Sequence, residues 1–271
     1  MERLLDDAKR LVLAWPGRTV PLMTPMAFWW DGHHVWLSTS GASLKARSLR
    51  RDGACALWVP PADGDDDGIL MRGQSRVFHL GDPVGLTVHA GFLAAAQTAL
   101  MVKNVPSMMG YVADATKIPR TFAPANRVLM RVTIESSEVV AQPPLGKGIA
   151  PALPTEVAPE VRRQLAGQRR IVLATQIDGG LGLMPAVWGA GYSLTVPYGM
   201  GLMPNTVATA VLDHDPGFRP TEVMGMSLSG RVVPGGPTPR LEPDKVRWWS
   251  GFRLHVAELS GRNADTIVIP D

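Results

Sequence analysis

The sequence predicts a mainly β chain with flanking helices, laid out as two similar halves joined by an irregular linker. Three observations carry that expectation. Short apolar runs rich in β-branched and aromatic residues recur between Gly, Pro and Asp punctuation. The order of these runs in residues 1–140 returns in residues 155–271. Between them, Ala141-Gln-Pro-Pro-Leu-Gly-Lys-Gly-Ile-Ala-Pro-Ala-Leu-Pro154 holds too many prolines and glycines for regular structure.

In the first half, Glu2 to Lys9 reads as a short amphipathic helix, ahead of the run Leu11-Val-Leu-Ala-Trp-Pro-Gly-Arg. Pro21 to Trp36 reads as strand, Asp31-Gly32 hairpin turn, strand. A helix is expected to begin near Ser43, with Leu44, Ser48 and Arg51 on one face. Gly53–Val59 follows as a buried strand, then an acidic loop, then a strand over Ile69–Phe78. Gly85–Met109 reads as a helix followed by a loop, has no counterpart in the second half, and carries Met101, Met108 and Met109. Adaptable methionine surfaces suit variable pockets, although the same residues serve as core filler. Tyr111, in Val105-Pro-Ser-Met-Met-Gly-Tyr111, is the candidate catalytic residue, with a hydroxyl to place over a substrate.

The second half opens on a helix over Glu156–Ala166, capped by Pro154-Thr155. Ile171-Val-Leu-Ala parallels Leu11-Val-Leu-Ala, and Pro185 with Trp188 matches Pro25 with Phe28 at one offset, 185 − 25 = 160. Ala208–Val211 aligns with Ala54–Leu57, Ser229–Val232 with Gly73–Val77, and Phe252–Ala257 with Arg127–Ile134.

Chemistry concentrates in Trp36-Leu-Ser-Thr-Ser-Gly-Ala-Ser-Leu-Lys-Ala-Arg-Ser-Leu-Arg-Arg-Asp52, where an apolar strand runs into hydroxyls and then spaced cations. A phosphate needs several donors and a compensating charge. Ser38, Thr39, Ser40, Ser43, Lys45 and Arg47 offer both within ten residues, and a helix starting at Ser43 adds free N–H groups. A solvated basic helix explains the charges alone equally well, so the surrounding order of elements decides.

That order resembles the split β-barrel flavin-binding superfamily, the pyridoxamine 5'-phosphate oxidase-like proteins and their deazaflavin-dependent reductase relatives. The matching residues are Pro25, Asp31-Gly32, Thr39, Ser43, Lys45, Arg47, Leu49, Arg51 and Asp52, and the likeness covers about residues 10 to 80. The resemblance implies two tandem split barrels forming a pseudo-dimer within one chain, with a further homodimer left open. It also implies a flavin- or deazaflavin-dependent oxidoreductase that moves hydride to or from a small organic substrate. FMN is the expected cofactor, with a deazaflavin coenzyme or haem as alternatives and a non-catalytic carrier as another outcome. Lys45 and Arg47 would hold its phosphate with Ser38, Thr39, Ser40 and Ser43. Backbone groups of Met23, Thr24, Pro25 and Met26 would follow the ring edge, where an edge strand tolerates Pro25. Arg51 would reach a longer anionic tail or face solvent. Where the first half has these cations, the second has Tyr198-Gly-Met-Gly-Leu-Met-Pro-Asn-Thr206, so one site per chain is expected. Trp188, Tyr192 and Tyr198 are lid candidates for that site, each with core packing as the competing role.

The remaining features narrow the field. A chain of 271 residues with 45% hydrophobic residues holds a sizeable core, and a net charge of +3 does not require nucleic acid. No apolar stretch reaches the ~20 residues of a membrane span, and the N-terminus lacks a signal core, so a cytoplasmic protein is expected. The single cysteine, Cys55, excludes an intrachain disulfide and a cysteine-cluster zinc site. His33 and His34 follow a hairpin turn without an identifiable third metal ligand, which leaves haem as a minor alternative and no metal site expected. His255 sits in a closing strand and receives no catalytic role. No Walker loop, catalytic triad order or dinucleotide fingerprint occurs.

Overall fold

The computed structural model describes residues 2–61, 67–79, 82–105, 109–110, 113–120, 127–177, 180–215, 217 and 219–259. Tyr111 and Met108 lie outside the described residues. The first half contains α1 (Glu2–Asp7), β1 (Arg10–Trp15), β2 (Leu22–Trp30), β3 (His34–Ser40), α2 (Leu44–Arg51), β4 (Ala54–Val59) and β5 (Gly68–Phe78). It continues with α3 (Pro83–Val88), α4 (Ala90–Lys103) and β6 (Arg127–Val140). The one helix expected in Gly85–Met109, ahead of a loop, is therefore two, which meet at His89, and Asp82 caps the first through Gly85 N–H.

The six strands close into an antiparallel barrel of order β1-β2-β3-β6-β5-β4. Alternation explains the closure: Leu11, Leu13, Trp15, Met26, Phe28, Val35, Leu37, Leu57, Met71, Met130 and Val132 point inward and form one buried cluster. Helix α2 plugs one end through Ala46 and Leu49. The expected face of Leu44, Ser48 and Arg51 is not the buried one, because Leu44 and Arg51 are exposed. Cys55 is buried in β4, and burial pushes its thiol up to about 12.

After residues 141–154, which carry no helix or strand, come α5 (Pro159–Leu165), β7 (Arg170–Ile177), β8 (Gly180–Trp188) and β9 (Leu194–Thr195). Then follow β10 (Val207–His214), β11 (Met224–Val233), β12 (Arg240–Ser250) and β13 (Arg253–Glu258). Ala158, without a side-chain cap bond, precedes α5, so the expected Pro154-Thr155 cap lies too early. The sheet order β13-β12-β11-β10-β7-β8-β9 repeats the barrel order, with β9 as a stub in the place of β3. A single bridge, Ser193 to Arg240, joins the two ends of this curled sheet.

Registers sharpen the repeat. Val12 faces Pro25 as Val172 faces Pro185. Both halves also carry a bulge beside a glycine: Gly73 pairs with Ile134 while Arg72 pairs with Ser136, and Gly230 pairs with Pro243 while Ser229 pairs with Lys245. A Cβ at either glycine would meet the partner carbonyl at 2.0 Å. Gly73 thus corresponds to Gly230, and β6 to β12. The sequence alignment of β6 with residues 252–257 is corrected accordingly: β13 is an added edge strand.

The halves pack through outward-facing residues. Val12, Ala14, Met23, Ala56, Trp58 and Leu70 of the barrel share a buried cluster with Ala174, Leu183 and Val211. β8 lies on β4 and β1, and β10 lies on β2, so the strand order carries β11 and β12 out past β2. Thr209 Oγ1 donates to Pro21 O at 2.7 Å across this interface.

Candidate functional site

β2 pairs with β1 over Leu22–Ala27 but with β3 only over Phe28–Trp30. β3 stays with β6 through Ser40. A gap therefore opens between the free edge of Leu22–Ala27 and the end of β3. The first half is a split β-barrel. Backbone donors and acceptors on an unpaired strand edge are available to a ligand, and Pro25 costs nothing there. Met23 and Met26 are buried, Thr24 and Pro25 half-buried, and Ala27 exposed.

Helix α2 begins where β3 ends. Ser43 is its N-cap, accepting from Ala46 N–H at 3.2 Å, and its hydroxyl lies 3.3 Å from Thr39 Oγ1. Ser40 Oγ accepts from Ala42 N–H at 3.3 Å. Thr39 and Ser40 are both buried. Lys45 turns inward and donates from Nζ to Thr24 Oγ1 at 3.5 Å, which links α2 to β2 across the gap. Desolvation, then the positive charges of Arg127 and Arg10, pull Lys45 from the ordinary 10.5 to about 8. No carboxylate among the described residues pairs with it.

Arg127, at the start of β6, donates from Nε to Ser38 Oγ at 3.0 Å and from Nη2 to Ser38 O at 2.7 Å. Arg10 is held by two second-half carboxylates, Asp213 at 2.9 Å and Asp215. Burial pushes the Asp213 carboxyl above its usual range against the pull of Arg10. Sequence reading missed Arg10 and Arg127 because each opens a strand, far along the chain from the hydroxyl run. Only the closure of β3 on β6 brings Arg127 there.

Of the expected residues, Lys45 meets Thr24 and Ser43 meets Thr39, whereas Ser38 and Ser40 alternate onto the other face of β3, where Ser38 takes Arg127. Arg47 and Arg51 project from the exposed side of α2. A helix turns 100° per residue, so Lys45 and Arg47 cannot share a face. The lid candidates stand elsewhere. Trp188 is 1% exposed in the core of the second sheet, its indole N–H donating to Gln168 O at 2.8 Å. Tyr192 stacks near it and donates to Ala152 O of the linker. Tyr198 is fully exposed. The aromatic that does pack at the interface is Trp249 of β12, whose ring lies over Gly225, where a Cβ would sit 2.0 Å from Cζ2. A glycine opposite a tryptophan on neighbouring strands is the signal that marks it.

His34 Nδ1 lies 3.2 Å from the Asp31 carboxylate, which also accepts from Trp36 Nε1 at 2.7 Å and from two backbone N–H groups. Burial opposes ionisation of Asp31, but these bonds hold it below its usual range. His33 and His34 thus belong to a turn network. His255 stacks on Trp248. Among the described residues no group of three His, Cys, Asp or Glu has metal-holding geometry, and no helix is long and apolar enough to cross a membrane.

No family model matches the chain, and no curated protein matches it. Solved structures do. An F420 reductase is similar at 23% identity over 51% of this chain and 94% of its own, with a TM-score of 0.33. A FAD-binding protein from Mesorhizobium loti is similar at 14% identity over 50% of this chain and 88% of its own, with a TM-score of 0.37. A protein of the pyridoxinephosphate oxidase family from Clostridium acetobutylicum, related to general stress protein 26, is similar at 14% identity over 52% and 84%, with a TM-score of 0.34. Each likeness spans about half the chain at low score, so the chemistry of the site rests on this chain's own residues.

Proposed function

We propose that the chain is a flavin-dependent oxidoreductase, built from tandem copies of one barrel, that binds FMN at a single site in the split between β2 and β3. The observation that carries this reading is Lys45: a half-buried cation with no carboxylate partner among the described residues, donating to Thr24 Oγ1 from the first turn of a helix whose N-cap Ser43 meets Thr39. A desolvated, unpaired cation costs stability, and a bound phosphate offsets that cost through charge-assisted hydrogen bonds. Arg127 adds a second charge from the far side of Ser38.

The residues fit the group. Lys45, Ser43 and Thr39 would hold the phosphate, with the free N–H groups at the start of α2 pointing the same way. The edge of Met23–Ala27 would bind and orient the polar rim of the ring, while the overhanging β11 and β12, with Trp249, would exclude water from its face. When bound, the flavin supplies hydride exchange with a small organic substrate. The second half has no counterpart of Lys45 in Tyr198–Thr206, and no helix is described there, which supports one site per chain. Deazaflavin is the second reading, favoured by Arg47 and Arg51, which stand exposed on α2 and suit a longer anionic tail. The test is titration of the protein with FMN and with the deazaflavin coenzyme, followed by turnover with each reduced cofactor. Stoichiometric binding with no turnover would reduce the protein to a carrier.

A further inference from the structure

A second cavity lies away from α2, where the β1–β2 hairpin meets the second sheet. It has a volume of about 280 Å³ and is lined by Thr19 and Val20 from the barrel and by Ser229, Arg231, Asp244, Lys245 and Glu258, among others, from the second half. The bulge between β11 and β12 builds it. Asp244 is the extra residue of that bulge, left without a cross-strand partner between Lys245 and Pro243. Bulges re-aim side chains in this way beside ligand sites.

The charges of the wall are specific. Lys245 Nζ pairs with Glu258 at 2.7 Å, so these two cancel. Among the described residues Arg231 gives only Nη1 to a protein acceptor, Asn205 O at 3.3 Å, which leaves most of its fork for a ligand. The Asp244 carboxylate makes no hydrogen bond or ion pair among the described residues, while its backbone O takes Leu259 N–H at 2.7 Å and fixes the bulge. Behind the buried Ser229, Arg247 donates to Ser229 Oγ at 3.1 Å and adds positive potential. One cation and one anion, both exposed and neither in an ion pair among the described residues, thus face a polar cavity of amino-acid size, two residues apart across a strand pair, and the Asp244 charge also acts on Arg247.

We propose that this cavity binds a small zwitterion of the amino-acid type, its carboxylate on Arg231 and its ammonium on Asp244. The site does not depend on flavin binding. An anion alone would meet the unpaired Asp244, and an amine alone would meet Arg231 and Arg247, so both charges are needed for tight seating. The hairpin supplies one wall, so the ligand bridges the two halves.

The test is calorimetry on the full chain, without added cofactor, using L-alanine and L-glutamate as probes and acetate and methylammonium as single-charge controls. A saturable one-to-one site for at least one amino acid is expected, with each control at least tenfold weaker. Asp244→Asn and Arg231→Gln should each weaken it at least tenfold. Thr19→Trp, which fills the cavity from the other half, should abolish it while the melting curve stays cooperative. Absence of binding by both amino acids, equal binding of the controls, or indifference to Arg231→Gln and Thr19→Trp would overturn the proposal.

Discussion

Replacing Lys45 by Met keeps most of its length and removes its charge, and the account expects opposite effects on stability and on binding. In the free protein the ammonium is desolvated and unpaired, so the variant should melt at the same temperature as the parent or above it at pH 7. In the complex, losing a charge-assisted hydrogen bond costs about 1.5–3 kcal/mol, which corresponds to ~10- to 150-fold in FMN affinity. The pH dependence carries an independent signature. Lys45 in the free protein releases its proton near pH 8, well below the unfolded value of 10.5, so a phosphate finds progressively less charge as pH rises above 8. Parental affinity should fall by up to about tenfold per pH unit between pH 8 and 9.5, since binding must first recharge Lys45. That range lies above phosphate's own titration. The same depressed pKa predicts that stability without ligand rises from pH 8 towards 10.5, where the unfolded chain alone keeps the proton. Fluorescence titration at four pH values reads the affinity, and thermal melts read the stability. Parental affinity in Lys45→Met, or the same pH slope in both proteins, would refute the reasoning.

Other outcomes follow from the same geometry. Arg47→Ala and Arg51→Ala, both exposed on α2, should each change FMN affinity less than about threefold in the same titration, because exposed charges contribute little. Gly225→Ala forces its Cβ against Trp249 and should cost about 1–3 kcal/mol in urea unfolding. Thr209→Val removes the bond to Pro21 O across the halves and should cost about 1 kcal/mol, read by the same unfolding curve. Arg10→Gln leaves the raised Asp213 carboxyl without its main counter-charge. The stability lost in that variant should grow as pH rises through the carboxylate range and shrink as the pH falls, as measured by melts between pH 4 and 7.

Much of this molecule is legible in its sequence, because strand alternation and turn chemistry are local signals. The Asp31-Gly32 hairpin, the Ser43 cap of α2 and the match of Pro185 to Pro25 all stand where the residues place them. What the sequence hides depends on closure. Arg127 reaches Ser38 across 89 residues of chain, and Arg10 reaches Asp215 across 205, so neither shows in a local run. Periodicity also misled where the helix was short. Lys45 and Arg47 look like one cluster in a string of letters but diverge on two sides of α2. Trp188 matches Phe28 in the repeat and, like it, serves the interior of its own sheet, whereas Trp249 came to the interface through a strand whose register a shifted alignment had concealed.

The central claim is that the split of the first barrel is a phosphate-anchored flavin site. It is tested most directly by titrating the cofactor-stripped protein with FMN at pH 7 and following flavin fluorescence, with Lys45→Met beside it. The account predicts saturation at one FMN per chain, weakened at least tenfold by the substitution. Binding of neither FMN nor the deazaflavin coenzyme, or saturation at two per chain, would contradict it.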